Sequence, residues 1–345
     1  MTLPVVLAGL GVRGRYWAEV IRRSPRADIV AYADPNPAAL ERAAALFGPR
    51  PAFASAEEAL SALPEVGALV LANPPVGRES QVRVALARKV PLLIEKPLAL
   101  DLDEAARLVA LAENAGIPLM VGLNFRYLGV TQAARALLAE GTVGRPEFAR
   151  FTYERYRDGH RPDLNKYPLT MDQPMLWEQS IHHFDLLRFV YGQEPLAVHG
   201  YTWNPSWSMY ASDANVAAIL TFDGGMVVNY QGTWQGNWAV SHFEWRTDCT
   251  VGVITQRDQF GDLSYARRDD PQLTPVPLPP HELWITETSG LLAAFLDTVL
   301  DRAPLQCSGR DHLLSLAMLQ ACIVSCQQQR AVAIHEVLPS WLLPG

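Results

Sequence analysis

A short apolar run, Leu3 to Ala8, leads into Gly9-Leu10-Gly11-Val12-Arg13-Gly14, and no other segment of the 345 residues restricts the fold as tightly. The run has the continuous apolar character of a strand covered on both faces in a parallel sheet. Arg15 to Arg23 then reads as a helix with Tyr16, Val20 and Ile21 apolar, and Asp28 to Ala33 as a second strand closing at Asp34, 20 positions after the third glycine. Strand, G-x-G-x-x-G, helix, strand and acid in this order suit a dinucleotide. The glycines let backbone approach a pyrophosphate at a helix N-terminus, and the acid accepts hydrogen bonds from the adenosine ribose. Gly9, Gly11, Val12, Arg13, Gly14 and Asp34 are the expected cofactor contacts. The competing reading is a purely structural glycine turn, and the flanking elements argue against it. Asp34 would repel a 2'-phosphate and Pro35-Asn36 bring no cation, so NAD(H) is expected over NADP(H).

Strand and helix signals keep alternating downstream. Pro37 to Phe47 reads as helix, Ala68 to Ala72 as strand, Glu79 to Arg88 as helix, Pro91 to Ile94 as strand, Leu102 to Ala115 as helix and Pro118 to Leu123 as strand. The alternation predicts an α/β architecture with a doubly wound parallel sheet, whose ligands sit beyond the carboxyl ends of the strands. Asn73-Pro74-Pro75 and Glu95-Lys96-Pro97 fall at two such ends. Asn73, Pro74, Glu95 and Lys96 therefore join the expected cofactor contacts.

The length exceeds what one hydrophobic core usually organises, so a boundary is expected after this run, with residues 1–123 and 124–345 as the two domains. In the second, Phe148 to Tyr156, Ala197 to Trp203, Asn215 to Phe222 and Met226 to Trp234 read as strands, the last two joined by the hairpin signal Asp223-Gly224-Gly225. Tyr201, Trp203, Trp207, Tyr230, Trp234, Trp238 and Trp245 give this half a large aromatic load. Such rings suit a subunit interface or core better than sugar stacking, so a homodimer or homotetramer through the C-terminal sheet is expected. The polar, proline-bearing segment from Arg155 to Gln173 is long enough to be a functional loop.

The formal net charge of -7 argues against nucleic acid or an anionic membrane as partner. The opening apolar stretch lacks the basic flank and cleavage pattern of a leader, no run approaches a membrane span, and the four cysteines match neither a zinc ribbon nor a redox pair. A cytoplasmic protein acting on a small molecule is the expectation.

Together the glycine fingerprint, Glu95-Lys96-Pro97, Asn124-Phe125-Arg126-Tyr127, Gly141 to Gly144 ahead of a strand, and Glu178-Gln179-Ser180-Ile181-His182-His183-Phe184-Asp185 resemble the Gfo/Idh/MocA oxidoreductases. Glu287 to Ala303 and Ser308 to Gln328 resemble the closing helices of that family. The resemblance implies an N-terminal Rossmann domain followed by an α+β domain with a mostly antiparallel open sheet, whose terminal helices can return to the first domain. It implies hydride transfer between nicotinamide and a hydroxyl-bearing carbon of a sugar, inositol or related polyol. The family's catalytic lysine carries over onto Lys96, and its D-x-x-x-H pair onto Glu178 and His182, with Glu in place of the usual Asp. Arg78 stands where the family's T-P-x-x-x-H usually has His. Lys96, Arg126, Tyr156, Glu178 and His182 are the expected substrate contacts. A dinucleotide-binding sensor without catalysis, and NAD-assisted glycoside cleavage, are the alternative functions.

Trp177 to Tyr191 has helical periodicity and stops before Gly192. At about 100° per residue Glu178, His182 and Asp185 share one arc, and His183 points away. Periodicity therefore selects His182 as general acid/base, with Lys96 steadying charge on the reacting oxygen. The same three side chains could ligate a divalent cation, but one turn of a single helix makes a cramped site, and no metal is expected.

Overall fold

The structure, a computed structural model, describes residues 2–342. The chain divides into two compact units, Met1–Tyr127 with Glu282–Leu313, and Leu128–His281 with Leu314–Gly345.

The first unit begins with β1 (Leu3–Ala8), α1 (Val12–Arg23), β2 (Ala27–Ala33), α2 (Pro37–Phe47), β3 (Ala52–Phe53) and α3 (Ala56–Ala62). It continues through β4 (Ala68–Leu71), α4 (Arg78–Ala87), β5 (Leu92–Ile94), α5 (Leu102–Ala115) and β6 (Leu119–Val121). The strands form one parallel sheet in the order β3-β2-β1-β4-β5-β6, the order of a doubly wound dinucleotide-binding sheet. Val5 to Leu7, Leu69 to Leu71 and Leu92 to Ile94 are fully buried, which explains their unbroken apolar runs. Local signals end the helices: Asn36 accepts a hydrogen bond from Ala38 N at the start of α2, Asp101 caps α5 at Glu104 N, and left-handed Gly116 closes it. Helix α1 starts at Val12 and not at Arg15 as the apolar pattern suggests, because extended Gly11 serves as its N-cap and Gly14 is taken into the first turn.

The second unit contains α6 (Gly129–Ala139), β7 (Pro146–Glu154), α7 (Ile181–Tyr191), β8 (Pro195–Trp203), β9 (Asn215–Phe222) and β10 (Val227–Thr233). Next come β11 (His242–Cys249), β12 (Gly252–Asp258), β13 (Gly261–Arg267) and β14 (Thr274–Pro275). The chain then forms α8 (Thr286–Asp301) in the first unit, α9 (Gly309–Gln328), whose residues divide between the units after Leu313, and β15 (Val332–Ala333). The second sheet has nine strands in the order β14-β13-β12-β11-β7-β10-β9-β8-β15. Every pairing is antiparallel except β10 with β7. Five of the nine, β11 to β15, lie outside the four strands that sequence alternation marks.

Burial divides the aromatic load. Tyr230, Trp234 and Trp245 are core residues of this unit together with Phe151, while Tyr201, Trp207 and Trp238 are exposed. The open face therefore differs from the aromatic surface expected. It presents Phe148, Val227, Ile219 and Tyr201, but also the Arg150–Glu244 ion pair, and Thr233 on β10 is buried. Among the described residues no helix is long and apolar enough to cross a membrane.

Candidate active site

Three glycines shape the turn between β1 and α1. Gly9 has φ 88°, and a Cβ on it would lie 2.5 Å from Asn73 N. A Cβ on Gly14 would lie 1.8 Å from Gly9 O, so both positions are closed to larger residues by backbone. Gly11 is the reverse case, with no atom within 4 Å of its Cβ position. The helix N-terminus thus keeps open space at Gly11 with no side-chain cap, and α1 has no acid in its first turn. These features fit a dinucleotide pyrophosphate. Asp34 is half-buried; Oδ2 accepts from Leu10 N at 2.7 Å and Oδ1 from Asn36 N at 2.8 Å. Its carboxylate is therefore locked against the glycine turn.

The Glu95-Lys96-Pro97 turn is held from two directions. Glu95 is buried, and its Oε1 accepts from Arg13 Nε at 2.6 Å and Trp17 Nε1 at 2.7 Å, both on α1. Arg13 also donates to Thr288 Oγ1 at 3.1 Å. Arg78 is 1% exposed and holds this turn through backbone carbonyls. Its Nη1 donates to the oxygens of Glu95, Pro97 and Leu98 at 2.7, 2.6 and 3.2 Å, and its Nη2 to Asn73 O at 2.5 Å. One guanidinium thus fixes the peptides on both sides of Lys96 and ties them to the turn after β4. Arginine's planar fork can do this where a histidine could not reach four carbonyls. Lys96 itself is half-buried. Asn73 donates to Gln81 Oε1 at 3.2 Å, and its Oδ1 is buried without a hydrogen-bond partner among the described residues. Arg126 lies in a 3-10 turn, Asn124–Tyr127, nearly buried and ion-paired with Asp311 at 2.6 Å.

In the second unit, Glu178 and His182 do not share one regular helix. Leu176–Ser180 is a π-helical turn that passes into α7 at Ile181. Even steps of 100° therefore do not hold across Glu178, and a π turn of this kind re-aims side chains locally. Glu178 is half-buried and its Oε1 accepts from Tyr167 OH at 2.7 Å. His182 is 6% exposed. His183 is enclosed: Nδ1 meets Tyr230 OH at 2.8 Å, Nε2 meets Gln179 Nε2 at 3.0 Å, and its ring packs on Phe151 and Tyr153. Burial pushes the His183 pKa down to about 3, so this ring is neutral in the folded protein. Asp185 is buried and accepts from Ser315 Oγ at 3.0 Å, and Arg188 donates to the same hydroxyl at 2.9 Å. Among the described residues no group of three His, Cys, Asp or Glu could hold a metal. Tyr156 is 44% exposed beyond β7, bridged to Gln235.

Two contributors escape sequence reasoning. Tyr167 lies in the loop expected to be functional, but its partner Glu178 is visible only in three dimensions. Arg78 carries no signal in the sequence beyond being an unusual residue at its position.

The family model described as "Oxidoreductase family, NAD-binding Rossmann fold" matches residues 3–123, and that described as "GFO/IDH/MocA C-terminal domain" matches residues 131–254. D-apiose dehydrogenase of Paraburkholderia graminis is 26% identical over 96% of this chain and 89% of its own. Inositol 2-dehydrogenase of Rhizobium meliloti is 24% identical over 97% and 100%. An oxidoreductase from Agrobacterium radiobacter, solved in complex with NAD+, L-tartaric acid and magnesium, superposes with a TM-score of 0.90 at 22% identity, covering 98% of this chain and 100% of its own.

Proposed function

The chain belongs to the Gfo/Idh/MocA family of NAD-binding oxidoreductases, and from that premise we propose that it interconverts a secondary hydroxyl and a carbonyl on a sugar, inositol or related polyol. The observation that carries this reading is the single hydrogen-bond network joining the glycine turn, through Arg13 and Glu95, to the turn that presents Lys96. Bound NAD supplies the hydride acceptor. The residues of the chain manage the proton and the charge: His182 takes the hydroxyl proton, Lys96 steadies the alkoxide as it develops, and Glu178 binds a neighbouring hydroxyl or tunes His182. A screen of polyols, aldoses, inositols and keto-sugars, followed by nicotinamide absorbance, tests the reading. Absence of turnover with every class would refute it.

NAD(H) is preferred over NADP(H) in this proposal. The Asp34 side chain, fixed by two backbone N–H groups, stands where the adenosine ribose is expected and would repel a 2'-phosphate. Titration of wild-type protein should give tighter binding of NAD(H) by roughly tenfold or more, and Asp34→Ala should narrow that preference. Tighter binding of NADP(H) by the wild type is the contrary result.

We also propose a cytoplasmic protein that assembles through the open face of the second sheet as a dimer or a pair of dimers. Phe148, Val227, Ile219 and Tyr201 are large apolar side chains exposed on that face, which suits a covered surface, and Arg150–Glu244 supplies a polar element for register. Light scattering at micromolar concentration should return two or four times 38.1 kDa; a stable mass of one chain would refute assembly.

A further inference from the structure

We infer that Arg155 and Arg157 form an anion subsite, so that the substrate is a polyol carrying a carboxylate; the inference deepens the polyol reading above and rests on it. Both side chains are half-buried, two residues apart in the segment that follows β7. Neither has a carboxylate within ion-pair distance among the described residues. Arg155 Nη1 donates to Tyr153 OH at 3.2 Å, and Arg157 Nη1 to Tyr210 OH at 2.6 Å. The guanidinium of Arg157 stacks 4.3 Å above Trp234, whose buried indole N–H has no acceptor among the described residues. The Tyr210 hydroxyl pKa is raised, chiefly by burial and also by the charge of Asp158, against the lowering influence of Arg157 and Arg155.

Among the described residues, none of the acids around them forms an ion pair with either guanidinium. Asp158 accepts from His160 N, Asp163 pairs with Arg161, Asp172 accepts from Ser212, Asp213 accepts from Thr202, and Glu154 faces His242. Removing a guanidinium from water without an anion is costly, and stacking on one indole offsets only part of that cost. An anionic ligand group offsets the rest, and Arg's fork suits a carboxylate. Two routes connect the pair to Glu178. Tyr153 OH, which Arg155 contacts, donates to Oε1 of Gln179, the residue after Glu178, at 3.4 Å. The loop that Arg157 opens closes on Glu178 through Tyr167.

The experiment compares aldonates with alditols and uronates with aldoses of matched chain length, measured as substrates or as inhibitors of the NADH-loaded protein. The anionic member of at least one pair should bind more tightly by about tenfold or more. Arg155→Gln should remove most of that preference while changing affinity for the neutral partner by less than about twofold; Arg157→Lys, which keeps the stacked cation but not the fork, should weaken it in part. Among the described residues the Arg155 side chain makes one hydrogen bond, to Tyr153, so its replacement leaves the Arg157–Trp234 stack in place if Arg157 variants fail to fold. No preference for the anion in any pair, or equal losses for both members in Arg155→Gln, overturns the inference. Tighter binding of the matching sugar phosphates than of the carboxylates overturns the carboxylate assignment. Turnover of neutral polyols without acid preference defeats this inference alone, whereas acid preference without turnover of any compound defeats the dehydrogenase reading alone.

Discussion

Replacing Lys96 or His182 by alanine should lower turnover by about 100-fold or more in each case while NAD affinity stays within about threefold. The contrast follows from how the first unit is built. The backbone at residue 96 is held by Arg78 at the carbonyls of Glu95, Pro97 and Leu98, and by the Glu95 carboxylate against Arg13 and Trp17. Deleting the Lys96 side chain removes none of these bonds, so the turn and the glycine turn beyond it keep their shape. What disappears is the side-chain nitrogen that the proposed mechanism assigns to steadying charge on the reacting oxygen. His182 is buried in the second unit, outside the segments that form the glycine turn. Steady-state turnover paired with NAD titration decides the matter. Near wild-type turnover in Lys96→Ala would remove the lysine from the chemistry, and a parallel loss of NAD affinity would make its role one of cofactor binding.

The fold was legible because most of its determinants are local or periodic. The continuous apolar runs at β1, β4 and β5 follow from burial on both faces, and the glycine spacing follows from backbone meeting backbone at Gly9, Asn73 and Gly14. Strands β11 to β13 were less visible because their buried positions are often polar, as at Thr247, Thr255, Gln256 and Ser264, which blurs the alternation of apolar residues. The π turn at Leu176–Ser180 has no compositional mark at all, since Leu-Trp-Glu-Gln-Ser is ordinary helical sequence. Side-chain partners between distant segments, such as Glu95 with Trp17 or Glu178 with Tyr167, are properties of the folded chain. Arg78 illustrates the limit best: the sequence marks it as a departure from the family's usual histidine, while its hold on four carbonyls is visible only once the two turns are side by side.

His183, the neighbour that periodicity sets aside, should matter for stability rather than for turnover. His183→Ala removes a ring packed on Phe151 and Tyr153, leaves a cavity, and strips a partner from the Tyr230 hydroxyl and the Gln179 amide. A cost of about 3 kcal/mol in unfolding free energy is expected at neutral pH. The wild-type cost has a pH signature. The folded pKa is about 3 whereas an unfolded histidine titrates near 6.5. The depressed value means that His183 contributes its full stability above about pH 6.5. As pH falls below that point the unfolded chain takes up a proton that the folded chain refuses, and stability declines by up to about 1.4 kcal/mol per pH unit until the folded pKa is approached. Between pH 7 and pH 5 this amounts to roughly 2 kcal/mol. His183→Ala lacks the titrating ring, so the stability gap between wild type and variant should shrink by that amount over the same interval. Urea unfolding of both proteins at the two pH values measures it. An unchanged gap would mean that His183 takes up its proton at the same pH in the folded and the unfolded chain, and a turnover loss in His183→Ala exceeding that of His182→Ala would move the general base to the wrong side of the helix for this mechanism.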